Sequence, residues 1–188
     1  MGGMKIEYRQ DHAPELMDRA RMRFAEEIGR LKRLGFSEFC CYTELMSRFS
    51  ALTLLPIYIL AKINREIIRV ESPLRLAMSP PILVHREQGA YALVFGMGVK
   101  FYTLFTDNTG LITANFSSQP IQDMYKKVYK TAAPRSIEDC WEAHMAEAQG
   151  FQQAGKRIEE AIRFENYVNI SRREDGSANA AFDILSTE

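Results

Sequence analysis

Three cysteines in 188 residues are too few for a disulfide framework. Two of them, Cys40 and Cys41, are adjacent, where a bridge between neighbours is strained, so a reducing, intracellular compartment is the simpler expectation. Net charge is missing as well: 24 Lys and Arg stand against 24 Asp and Glu. No global field recruits nucleic acid or an acidic substrate, and any such binding must be local. The opening residues, MGGMKIEYRQDH, lack the apolar stretch of a signal peptide, and Ile6 stands where a myristoylation pattern beginning at Gly2 requires Ser or Thr. Gly96-x-Gly98 has no third glycine, position 101 being Phe, and no P-loop Lys-Ser/Thr. No G-x-S-x-G, H-E-x-x-H or EF-hand pattern occurs, and no internal repeat.

The residues present, 46% hydrophobic and 26% charged, suit one globular domain with a proper core, expected over 1–172 with a loosely ordered tail at 173–188. The clearest local signal is Val99 to Phe116, VKFYTLFTDNTGLITANF. β-branched and aromatic residues flank Asp107-Asn108-Thr109-Gly110, which is turn chemistry, so the stretch reads as a β-hairpin. With Asp107 opposite Leu111, Tyr102 and Leu104 share a core face with Ile112 and Ala114. The other face, Phe101, Thr103 and Phe105 beside Thr113, is too apolar to lie in water and needs a cover. Upstream, REIIRV, LRLAMS and PILVHR are strand-length pieces punctuated by prolines. In the next strand Ala90, Ala92 and Val94 form a face of small residues suited to close approach by a helix. Residues 65–116 therefore form an antiparallel meander of about four to six strands. Residues 36–48 lean toward a further strand.

Helical periodicity over Pro14 to Leu34, closed by Gly35, predicts an N-terminal helix across 13–35. Residues 119–172 are expected to be helical: a short helix from Pro120 to Lys130, then, from an N-cap at Ser136, a long one to Arg172. Unbroken from Ile137 to Arg172, that helix would be about 54 Å long against a domain diameter of roughly 40 Å. It must break near Gly150 or Gly155, or project and pair through 156–172 with a second copy. The fold class is α+β, an antiparallel meander packed by an N-terminal helix and a long C-terminal helix, with the C-terminal helices on one face.

Chemistry has few footholds. His85 ends a predicted strand, where a cleft group would sit, and Cys140 and His144 stand at i and i+4 on the long helix, so their side chains can meet. They supply at most two ligands of a zinc site and no orienting third group, so neither metal nor cofactor is implied. A basic and aromatic patch, Tyr125, Lys126, Lys127, Tyr129, Lys130 and Arg135, could hold a polyanion, although a solvated face explains it and nucleic acid is not favoured. Phe49 to Ala61 is the most apolar run, at about 20 Å too short to span a bilayer and interrupted by Pro56. Leu52, Leu54, Leu55, Ile57, Ile59 and Leu60 are its candidates for contact with a membrane surface, against a buried core segment. The leading reading is a non-catalytic intracellular interaction module, with self-association and peripheral membrane attachment as its partners. The alternative is a small enzyme using His85 or the Cys140 and His144 pair between strand ends and helix.

Overall fold

The computed structural model describes residues 5–47, 59, 68–72, 75–116, 128–132 and 136–174. Among the described residues nine strands form one sheet: β1 (Lys5–Asp11), β2 (Ser37–Ser47), β3 (Ile68–Ser72), β4 (Arg75–Met78), β5 (Pro81–His85), β6 (Ala90–Phe95), β7 (Gly98–Leu104), β8 (Gly110–Ala114) and β9 (Val128–Ala132). The helices with both ends among the described residues are α1 (Pro14–Arg23), α2 (Ala25–Arg33), α3 (Ile137–Gln153) and α4 (Phe164–Glu174). The class is α+β, and every strand pairing is antiparallel except that of β9 with β8. Six strands, β3 to β8, fall in the segment where the meander was expected.

β4 and β5 behave as one long strand interrupted at Ser79-Pro80. Ser47↔Arg75 through Cys41↔Pro81 keep one register against β2, and a bulge follows between Glu38 and Cys40. Pro81 sits at the first residue of β5, where a missing N–H is tolerated. β1 takes the other edge of β2, with Lys5↔Ser47 through Asp11↔Cys41.

The β7–β8 hairpin forms with Tyr102↔Ile112 and Leu104↔Gly110. The expected pairing of Asp107 with Leu111 is thus displaced. The turn is longer than anticipated: Asp107 accepts from Thr109 N–H at 3.0 Å, and Asn108 takes the left-handed conformation at φ 67°. The displacement is even, so the two faces keep their membership.

Both faces of the β5–β8 part of the sheet are covered. On one, Leu83, Ala90, Ala92, Val94, Val99 and Phe101 pack with α1, α2 and the first turns of α3. The small residues of β6 let α2 lie close against it, as the alternation suggested. On the other face Ile82, Val84, Tyr91, Leu93, Tyr102, Leu104 and Ile112 pack with Phe164, Tyr167, Val168 and Ile170 of α4. The expectation that both C-terminal helices share one face is corrected: α3 and α4 lie on opposite faces.

The reason is a break in the long helix. α3 ends at Ala154, Gly155 adopts φ +91°, and the chain runs extended to residue 163. This strap continues the sheet beside the end of β7. Thr106 N–H donates to Arg157 C=O and Glu159 N–H to Leu104 C=O, both at 2.8 Å. Lys156 pairs with Asp107, and Tyr91 Oη donates to Arg163 C=O at 2.9 Å while accepting from Arg163 N–H at 3.0 Å. The helix is therefore not overlong, and the length argument for a dimer loses its premise.

Two further helix boundaries are corrected. The N-terminal helix is two, separated at Phe24 (φ −120°, ψ 34°), whose side chain is fully buried and anchors the corner. Val128 to Lys130, expected to end a helix, lie in β9. Residues 120–127 and the tail beyond Glu174 lie outside the described residues.

Candidate functional site

α3 carries its buried residues Ile137, Cys140, Trp141, His144 and Ala148 at helical spacing. Ser136 fixes where that stripe begins, since its Oγ accepts from Asp139 N–H at 3.1 Å. Arg30 of α2 grips the Glu138 carboxylate, with Nε to Oε1 at 2.9 Å, and holds α3 against the N-terminal helices. That guanidinium pulls the Glu138 carboxyl down to about 2.

His144 is fully buried over the hairpin. Its Nε2 lies 2.9 Å from Thr103 Oγ1 and its Nδ1 2.9 Å from Thr113 Oγ1. A neutral imidazole has one N–H and one bare nitrogen, and a threonine hydroxyl can accept or donate, so either tautomer satisfies both contacts. Burial lowers the imidazole pKa to about 3, so the ring is uncharged near neutrality. Both nitrogens are spent, and neither is open to a metal, a nucleophile or a substrate proton.

Cys140 is fully buried, and burial pushes its thiol up to about 12. Cys40 is raised further, again chiefly by burial. A thiol in that state is a small apolar group and a poor nucleophile. Cys140 and His144 thus both make core contacts. Among the described residues no three of His, Cys, Asp and Glu gather to hold a metal ion.

His85 is the exception. It ends β5, as expected, and its ring stacks on Trp141 with centroids 5.5 Å apart and planes at 19°. Phe36 meets it edge-on at 5.3 Å. Trp141 stacks in turn on His144 at 5.7 Å, so the structure brings both candidate histidines onto one indole. Gly35, at φ +94°, closes the corner: a Cβ there would lie 2.7 Å from His85 Nε2. His85 Nδ1 is buried with no hydrogen-bond partner among the described residues. Phe36, Gly35, Thr103 and Thr113 were not singled out as site residues. The two threonines, on an otherwise apolar hairpin face, were the available hint that a buried polar partner lay opposite.

Tyr125, Lys126, Lys127 and Arg135 lie outside the described residues, as do Leu52, Leu54, Leu55, Ile57 and Leu60. Tyr129 and Lys130 are consecutive positions of β9 and not part of a helix. Ile59 alone of its run is described, helical and 49% exposed. Among the described residues no helix is long and apolar enough to cross a membrane.

No family model, curated protein or solved structure matches the chain.

Proposed function

We propose that the chain is a non-catalytic intracellular interaction module. The observation that carries this reading is the hydrogen bonding of both His144 ring nitrogens to Thr103 and Thr113, which supports a structural role for the Cys140 and His144 pair. The buried thiols point the same way, and three cysteines that form no disulfide fit a reducing compartment. Self-association is a subsidiary part of the reading. Because Phe164, Tyr167, Val168 and Ile170 are engaged by the chain's own sheet, a homodimer through 156–172 would use exposed positions instead, among them Glu165 and Asn169 of α4. Peripheral membrane attachment through Phe49 to Ala61 competes for the same residues with burial inside the chain.

A second reading is favoured by one observation. His85 Nδ1 is buried with no hydrogen-bond partner among the described residues, in an aromatic corner that suits a ligand or a small enzyme site. One experiment separates the two: reconstitution of a candidate partner from purified components, with wild type and His85→Gln. Equal binding by both proteins, with mass in solution matching the complex, supports the module. Turnover of a small molecule that is lost in His85→Gln refutes it and establishes the second reading.

A further inference from the structure

The outer part of the sheet, β1, β2, β4 and β3, has two unlike faces. Ladder register and strict alternation place Ile6, Met46, Leu76, Met78, Ile68 and Val70 at positions on one face, where Glu44, opposite Met78, is the one charged position of the paired strands. Lys5, Glu7, Arg9, Arg69 and Arg75 fall on the other. β4 continues into β5 in one register against β2, so the apolar positions continue the face of Ile82 and Val84, the α4 side. α4 itself packs over the β5–β8 part of that face and over β9.

Topology selects the same face independently. β2 and β3 both pair antiparallel with β4, one on each edge, so they run parallel to each other. From Ser47, where β2 ends, to Ile68, where β3 begins, 20 residues (48–67) join them. Parallel strands in one sheet need a crossover of a dozen or more residues, and such crossovers are right-handed in about 98% of cases.

The hand can be worked out from the backbone. Asn115 N–H donates to Val99 C=O and Phe105 N–H to Thr109 C=O, so odd residues of β7 turn their backbone groups toward β8. Val99, Phe101 and Phe105 belong to the face covered by α1 to α3. For L-residues, a strand running upward with its side chain toward the viewer aims that residue's N–H and C=O to the right. Seen from the α3 side with β7 upward, β8 is on the right, and β2, β4 and β3 follow from left to right with β2 and β3 running down. A rightward path between downward strands is right-handed only behind the sheet. Behind is the α4 side, where the apolar positions lie.

We infer that this face is the docking surface for the chain's own residues 48–67, and not for a lipid bilayer. Phe49 to Ala61 is uncharged and apolar, matching the face it is assigned to. The opposite face, where Leu45 and Ala77 stand among Lys5, Glu7, Arg9, Arg69 and Arg75, matches an uncharged run less well.

Hydrogen exchange read peptide by peptide tests this, with three variants and with anionic phosphatidylserine-containing vesicles. Amides of 49–61 in the free wild type should exchange at least about tenfold more slowly than in an unstructured chain. Leu76→Asp should abolish that protection, whereas Ala77→Asp, one residue along on the opposite face, should leave it. Should Leu76→Asp fail to fold, Leu76→Ala should still raise exchange in 49–61 selectively, by about tenfold. Unprotected amides in the free protein that become protected only on vesicles overturn the inference in favour of a membrane surface. So does protection indifferent to Leu76 but lost on Ala77→Asp, which puts the segment on the other face.

Discussion

Replacing His144 with glutamine should flatten the dependence of stability on pH. In the folded chain burial lowers this imidazole pKa to about 3, against roughly 6.5 when unfolded. A base with a depressed folded pKa is protonated first in the unfolded state, so its contribution is complete above roughly pH 6.5 and is lost as pH falls toward 3. At about pH 5 the unfolded ring is about 97% protonated and the folded ring essentially neutral. Relative to about pH 7.5 this costs about 2 kcal/mol, a thirtyfold shift toward unfolding. That figure hardly changes wherever the folded value lies below about 4. The paired carboxylates contribute little in this window, since Glu138 and Asp107 are held at about 2 and lose their advantage below about pH 4.5. Urea unfolding followed by the fluorescence of Trp141, the only tryptophan, provides the assay. With an m-value of about 2 kcal/mol/M, the wild-type midpoint should fall by about 1 M between the two pH values. His144→Gln starts lower, because glutamine fits the two threonines less well, but should lose much less on acidification. Equal losses in both proteins would refute the assignment of His144 as a neutral core group.

Three other outcomes follow from the geometry. Gly35→Ala should destabilise by more than Gly155→Ala: both sit at positive φ, costing about 1 kcal/mol, but only at Gly35 would the new Cβ meet a neighbour, His85 Nε2. Combining Gly35→Ala with His85→Ala should remove the difference, as a thermal-denaturation cycle will show. Tyr91→Phe removes both hydrogen bonds to Arg163 and should cost about 1–2 kcal/mol, with faster amide exchange over 161–164 as its local signature. Glu138→Gln should cost no more than about 1 kcal/mol despite the two-point grip of Arg30, because the carboxylate is 39% exposed and screened. A double-mutant cycle with Arg30→Ala will measure that coupling.

The sheet was legible where alternation and turn residues agreed. Ala90, Ala92 and Val94 announced a helix at close range, and Ser136 announced the start of α3, because both signals are local. The split at Phe24 was not legible, since Phe24 continues the apolar stripe of a single helix and only its burial between two packed helices shows the corner. β9 was missed because VYKTA carries as much helical as strand character out of context, and its parallel pairing with β8 is a tertiary choice. For the candidate site, spacing placed Cys140 and His144 on one helical stripe but could not show that the two threonines of a hairpin some thirty to forty residues away would occupy both ring nitrogens. Nor could it place His85 beside Trp141, a contact made only once β5 and α3 meet on the same face.

The imidazole nitrogen spectrum of His144, recorded by ¹⁵N NMR between about pH 4.5 and pH 8, tests most directly the claim that this chain's apparent catalytic groups are structural. The account predicts one protonated and one bare nitrogen, both shifted by hydrogen bonding and unchanged across the range. A ring that titrates near 6, or whose nitrogens shift on addition of a small-molecule substrate, would contradict it.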